Sequence, residues 1–326
     1  MSVSISSLRL AVQHVSFVVL TFGGHFNIFL GSSLPCLSCP FVGSCGGGCY
    51  LMAWQRAMSW LFPPLVEALT GVGSWARAWS TLNFFLSGFV VFALLVIVLG
   101  KSWCGWVCPF GVVQDYLARL RRLLGLREAE MSERVKAGVS NVKYVLLAYL
   151  TLMPVLYSFG WLSRDFVLSF CNICPAKIIM PLATLDYNRL GLPVLSSSPR
   201  AVFALILLAV TGGMVAAMFF KDRFFCLVCP MLAMINIFRR LHLLRLVKDV
   251  GSCRGCGSCR RTCAMDNQTI YRERESARPH DPDCLGCFSC AEGCSTEGSL
   301  GVRLGPLNLF GSTPVHAIGR LTGGKK

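Results

Sequence analysis

The sequence predicts an all-α membrane domain of four transmembrane helices, arranged as a two-fold internal repeat, followed by a small α+β domain. Three observations predict it. The 326 residues are 54% hydrophobic and only 14% charged, with a mean hydropathy of +0.59. A soluble domain carries about 25% charged residues, so this composition excludes a disordered chain and argues against an ordinary soluble enzyme. Apolar stretches close to the roughly 20 residues of a bilayer-crossing helix recur along the chain. All 18 cysteines fall in close-spaced groups.

The four apolar segments come first. Leu8 to Leu30 is interrupted only by Arg9 and uncharged polar residues, Leu82 to Gly100 is uncharged, Asn141 to Gly160 holds only Lys143, and Ala201 to Phe220 is uncharged. The first is not read as a signal peptide, because it lacks a small-residue cleavage site and runs directly into Cys36 and Cys39. The loops 101–143 and 221–250 hold fourteen Lys and Arg against six in 31–80 and 161–200. That bias predicts a multi-pass protein of the cytoplasmic (inner) membrane with both termini cytoplasmic. The net charge of +15 lies in the membrane-proximal loops. It fits an anionic membrane face and argues against nucleic acid as a partner. The apolar stretch Tyr50–Leu65 is expected in the interface or dipping into it.

The repeat is written in cysteines. Cys36-Leu-Ser-Cys39-Pro40 and Cys104-Gly-Trp-Val-Cys108-Pro109 in the first half match Cys171-Asn-Ile-Cys174-Pro175 and Cys226-Leu-Val-Cys229-Pro230 in the second. Two halves of like topology would pack about an axis along the membrane normal. Each face then gathers four thiolates, the number a [4Fe–4S] cluster requires. The expected inner set is Cys104, Cys108, Cys226 and Cys229. The expected outer set is Cys36, Cys39, Cys171 and Cys174. Zinc is the alternative for the inner set, and disulfides are the alternative for the outer one. Cys45-Gly-Gly-Gly-Cys49 has no counterpart in the second half; it forms a disulfide or joins Cys36 and Cys39 as a different ligand set. Each proline is expected to open a helix. Amphipathic helices are expected over Phe110–Leu124 and Met231–Leu246, their basic faces on lipid headgroups.

The expected domains are 1–250 in the membrane, 251–305 as a polar cytoplasmic unit, and a mobile tail over 306–326. The polar unit carries Cys253-x2-Cys256-x2-Cys259-x3-Cys263 and Cys284-x2-Cys287-x2-Cys290-x3-Cys294. This is the bacterial two-cluster ferredoxin run, in which each fourth cysteine serves the other cluster. The expected sets are Cys253, Cys256, Cys259 with Cys294, and Cys284, Cys287, Cys290 with Cys263. Zinc knuckles seldom need the third cysteine. Proline usually follows the fourth cysteine; here Ala264 and Ser295 do.

The layout resembles the NapH-type membrane iron–sulfur proteins, a group that includes the membrane part of NosR-type proteins and the RdxA-type polyferredoxins. The resemblance rests on Trp103-Cys104-Gly-Trp-Val-Cys108-Pro109, Cys226-Leu-Val-Cys229-Pro230 and the two ferredoxin runs. It implies passage of electrons between the quinol pool and redox partners. The second motif is a residue shorter than the family's usual one, and the outer cysteines are not part of the NapH pattern.

Two [4Fe–4S] clusters are thus expected in the polar unit, one at the inner membrane face and one at the outer face. His14 and His25, about three helical turns apart, would share a face of the first helix. They are candidates to contact a quinone or ligate a haem, with polar packing as the plainer alternative. The chain has no Gly-rich phosphate loop, triad or catalytic carboxylate pair, and no catalytic residue is assigned. The expected function is an electron-transfer subunit linking a cytoplasmic ferredoxin-like donor or the quinone pool to other subunits of a membrane redox complex, with quinol dehydrogenase the enzymatic form. The alternatives are an assembly factor for a respiratory metalloenzyme and a redox-driven ion pump. The uncharged segment centres count against the pump.

Overall fold

The computed structural model describes residues 4–28, 30–31, 33–35, 48–162, 174–185, 198–275, 277, 279 and 281–313, with the side chains of 198–204 and 207 outside the description. Three helices are long and apolar enough to cross a membrane: Ile5–Phe26, Trp75–Leu99 and Glu133–Ser158. The first comprises α1 (Ile5–Phe22) and a tight turn over Gly23–Phe26; the others are α3 (Trp75–Leu99) and α5 (Glu133–Ser158). On α3, Phe84, Val90, Val91, Leu94 and Val98 are exposed, as a lipid-facing surface requires. The fourth expected segment lies in α7 (Ser198–Phe220), whose described apolar portion, Leu208–Phe220, is shorter than a span.

One further helix was only half legible. α2 (Tyr50–Leu69) packs against α3 and α5, antiparallel to the first and parallel to the second. Trp54 packs on Phe85 and Phe89 of α3, and its Nε1 donates to Thr151 Oγ1 of α5 at 3.1 Å. The stretch expected at the interface is thus built into the bundle.

Pro109 and Pro230 open helices as expected, Pro175 caps α6 (Ala176–Ala183), and Pro40 lies outside the described residues. α4 (Pro109–Leu123) starts at Pro109 and α9 (Pro230–Ile237) at Pro230, where the missing N–H costs nothing. α4 leaves Tyr116, Leu120, Leu123 and Leu124 exposed and buries Gln114 and Arg121. Arg121 pairs with Asp222 at 2.7 Å and donates to the Phe220 carbonyl at 3.0 Å. The expected amphipathic helix over Met231–Leu246 does not form. α9 is buried on every side and stops at Ile237. Leu244–Lys248 becomes strand β1 instead, because Leu-Arg-Leu-Val-Lys alternates with the period of a strand.

β1 pairs antiparallel with β2 (Leu300–Leu304), and β2 with β3 (Leu307–Gly311). The start of the expected tail is therefore a sheet strand; residues from 314 lie outside the description. Short helices α10 (Ser258–Arg261), α11 (Thr269–Arg272) and α12 (Ser289–Glu292) complete the polar unit.

Buried charge fastens this unit to the bundle. Lys143 of α5, fully buried, pairs with Asp283 and donates to Ser140 Oγ at 2.8 Å. Lys101 reaches the Asp281 carbonyl, and Lys136 the Asp266 carbonyl at 2.7 Å. Asn236 Nδ2 donates to the Pro282 carbonyl at 2.9 Å. At the other edge Glu292 accepts from Ser4 and Ser6, and Arg9 donates to Ser289 at 2.8 Å. Removing one partner of a buried ion pair leaves an uncompensated charge, at about 3–5 kcal/mol. Asp283→Ala should therefore loosen the polar unit and lower its unfolding temperature, read by thermal denaturation and trypsin sensitivity. Lys143→Met combined with Asp283→Leu should recover most of the loss.

Candidate metal centres

The inner cysteines are delivered by two turns that converge. α3 ends at Gly100, and a single wide π-type turn over Trp103–Val107 carries Cys104 to Cys108 at the start of α4. Such turns recur at functional sites. α8 (Phe224–Val228) carries Cys226 and hands on to Cys229, which opens α9. The four sulfurs lie within electrostatic reach of one another. Burial, then the neighbouring Cys108, Cys226 and Cys229, pushes the Cys104 thiol well above its ordinary range. Burial and then Cys226 do the same to Cys229. Gln114 Nε2 donates to Cys226 Sγ at 3.5 Å and its Oε1 accepts from Phe225 N at 3.2 Å, fixing the second turn on α4.

In the polar unit, Cys263, Cys284, Cys287 and Cys290 line one largely apolar cavity of 40 Å³. Burial, then Cys287, raises Cys263 to about 12; burial raises Cys284 to about 11, opposed by Lys101. Cys259 feels burial and then, among the sulfurs, Cys294 and Cys253. Cys256 is exposed and is lowered to about 7 by hydrogen bonds, first from Ser258, then from Ser295. The serine that stands where proline is usual thus faces a sulfur of the exposed group, at 3.5 Å.

The two regions touch through backbone. A Cβ on Gly105 would lie 2.7 Å from the Leu285 carbonyl and 3.1 Å from the Cys287 backbone. Gly286, at φ +62°, would set a Cβ 2.9 Å from Ser102 N. Trp106 Nε1 donates to the Gly286 carbonyl at 3.1 Å. Only glycine allows this approach, and at Gly286 it also adopts the left-handed conformation without a Cβ penalty.

Among the described residues no three Cys, His, Asp or Glu side chains converge tightly enough for a single metal ion. A zinc ion at about 2.3 Å from each sulfur would draw them together, whereas a cubane cluster holds its thiolates apart around four irons. The donor chemistry, four cysteines per site with glycine-lined approaches, fits the cluster.

Cys36, Cys39, Cys45 and Cys171 lie outside the described residues. Cys49 and Cys174 are described, and both are buried in the core that also holds Cys226 and Cys229. Cys49 immediately precedes α2, whose Tyr50 stacks on Phe92 with ring centroids 4.0 Å apart. Phe92 lies seven residues before the end of α3, about 10 Å from the end that leads to Cys104. Cys49 is therefore buried in the bundle, beside the level of Phe92 on α3.

His14 is engaged at both ring nitrogens, by the Leu10 carbonyl at 2.6 Å and by Tyr116 Oη. His25 sits in the turn after α1 and stacks on Phe22. Sequence reasoning missed Gln13, Gln114, Asp115 and Arg223. A signal existed: Asp115 is the sole acid between Glu67 and Glu128, and it lies seven residues after Cys108.

The comparisons agree with this site chemistry. A family model described as a 4Fe-4S binding domain matches residues 82–127 and again 203–248, and one described as a 4Fe-4S dicluster domain matches 245–295. The chain is similar to YccM of Escherichia coli, 24% identical over 215 residues, covering 65% of this chain and 53% of YccM. It is similar to the ferredoxin-type protein NapH of Escherichia coli, 22% over 257 residues, covering 77% and 79%. It is similar to the regulatory protein NosR of Pseudomonas aeruginosa, 26% over 211 residues, covering 64% and 26%. The chain thus spans about half of YccM and a quarter of NosR. No solved structure matches it. Ferredoxin-type 4Fe–4S domains on apolar helices define a membrane iron–sulfur protein of the electron-transport class. Within that class the matches support a likeness to the NapH-type membrane iron–sulfur proteins and to NosR.

The backbone junction has a direct test. Gly105→Ala forces Leu285 or Cys287 to move, at about 1–3 kcal/mol for an overpacked contact. Hydrogen exchange at 284–287 should rise in that variant while exchange in β2 stays as in the parent.

Proposed function

We propose that the chain is an electron-transfer subunit of a membrane redox complex, exchanging electrons between a cytoplasmic ferredoxin-like donor or the quinone pool and other subunits. The observation that carries this reading is the backbone contact of the Cys104–Cys108 turn with the Cys284–Cys287 loop, which sets two four-cysteine sites side by side. Cys104, Cys108, Cys226 and Cys229 hold one [4Fe–4S] cluster. Cys263, Cys284, Cys287 and Cys290 hold the second, and Cys253, Cys256, Cys259 and Cys294 the third. When bound, such clusters supply one-electron chemistry tuned by charge, burial and hydrogen bonds to sulfur. The exposed Cys256 marks the third as the one open to a soluble carrier.

The remaining cysteines, Cys36, Cys39, Cys45, Cys49, Cys171 and Cys174, supply a fourth cluster. The buried positions of Cys49 and Cys174 favour a location inside the bundle. Charge bias supports cytoplasmic termini in an inner membrane, with α7 as the fourth span. The chain's own groups hold the sites in register: Lys101 and Lys143 anchor the 281–284 segment, and Gln114 and Arg223 brace the inner turns.

Iron analysis with EPR tests the reading. The purified protein should carry about sixteen irons, four per cluster. Cys226→Ser and Cys171→Ser should each lose about four while both ferredoxin-type signals persist. Retention of full iron in Cys226→Ser would remove the inner cluster and the relay with it.

A further inference from the structure

We propose that the Asp115–Arg223 ion pair sets the potential of the inner cysteine site, standing as a fixed dipole between it and the neighbouring site of the polar unit. The inference rests on the proposed function, since it takes both sites to bind clusters. Arg223 is 3% exposed and adopts a left-handed conformation, φ 55°, just before α8. Its Nη1 donates to the Cys104 carbonyl at 3.2 Å. Its Nε donates to Asp115 Oδ1 at 2.7 Å, and Nη2 reaches Oδ2. Gln13 of α1 completes the network, donating to Asp115 Oδ2 at 3.0 Å and to the Gly105 carbonyl at 3.1 Å. One guanidinium therefore ties the Cys104 turn, α4 and the Cys226 turn together. Asp115 and Arg223, with Arg9, also line the cavity of Cys263, Cys284, Cys287 and Cys290. The pair belongs to both sites at once.

Both partners are charged at neutral pH. Burial opposes the ionised carboxyl, but Arg223 and then Arg9 and Gln13 hold Asp115 below its ordinary value. Burial likewise opposes the guanidinium, and Asp115 overcomes it. Arg223 is the cation whose field reaches both Cys104 and Cys226.

The physical consequence has a sign. Reduction adds one negative charge to a site already rich in thiolate. A buried cation in contact with that site stabilises the reduced form and raises its potential; a carboxylate does the reverse. Screening by salt is weak in such an interior, so the two halves of the pair act separately. The guanidinium is the nearer half, being in contact with Cys104, while Asp115 stands behind it.

The test uses the full-length protein in detergent or nanodiscs, with iron content and EPR-monitored redox titration. Arg223→Gln should shift the reduced-to-oxidised ratio of the inner cluster about tenfold toward oxidised at a given potential, which is 59 mV for one electron. Asp115→Asn should shift it at least threefold the other way. The double variant should fall between them, and Arg223→Lys, which keeps the charge without the fork, should stay near the parent. Shifts of the same sign, unchanged potentials at full iron, or loss of the inner cluster's iron from both single variants would each overturn the proposal and leave the pair a structural brace. A parent protein with no more iron than Cys104→Ser would instead refute the inner cluster, and the proposed function with it.

Discussion

The fold depends on one close approach: the backbone of Gly105 against Leu285–Cys287, and of Gly286 against Lys101 and Ser102. No side chain intervenes, so the distance between two cysteine sites is set by main chain and not by rotamers. That constraint explains much around it. The wide turn over Trp103–Val107 presents Gly105 outward. Trp106 covers the junction, donating to Gly286 and packing on Phe288. α1 runs past the same point, so that Gln13 can bond Gly105 from the far side.

The cost of this arrangement is buried charge. Lys143, Lys101, Arg121 and Arg223 are all buried, and each has an anion or a carbonyl in contact. Such pairs add little net stability, because desolvation offsets their attraction. What they add is geometry. Three of the four sit where the polar unit or the inner cysteine turns meet the helices, and there they act as fasteners. Burial lowers the pKa of Lys101, and the thiol of Cys284 and Asp281 pull it back, so this lysine's charge and the nearby cysteine site are coupled.

Much of this was legible in the sequence, and the failures have physical causes. The helix starts at Pro109 and Pro230 followed from proline's fixed φ and missing donor. The grouping of Cys263 with the 284–290 run followed from spacing. By contrast, Met231–Leu246 shows helical periodicity in its apolar residues, yet the sheet captures its last residues because β1 can pair along β2 from Leu244 to Lys248. On α4, Arg119 and Arg122 stay exposed beside Tyr116, Leu120 and Leu123, whereas Arg121 turns inward to Asp222. A single-helix pattern cannot distinguish a lipid-facing stripe from a core-facing one, since both are apolar. The Asp115–Arg223 pair joins residues 108 apart, and no local pattern encodes such a contact.

The position of Cys49 changes what the membrane part has to accomplish. Centres confined to opposite surfaces would be separated by a hydrocarbon core of about 30 Å. The path from Cys49 is shorter. Tyr50 stacks on Phe92, and Phe92 packs against Phe238, which directly follows the helix opened by Cys229. α2 therefore starts near the Cys229 turn and runs away from it. Its Leu69 end emerges beyond Phe62, which packs on Phe159 at the far end of α5. Cys49 at the start of α2 is buried in one core with Tyr50, Leu51 and Phe92. In the proposed relay a cysteine site built there lies beside the Cys229 turn, and the length of α2 is what remains to be crossed.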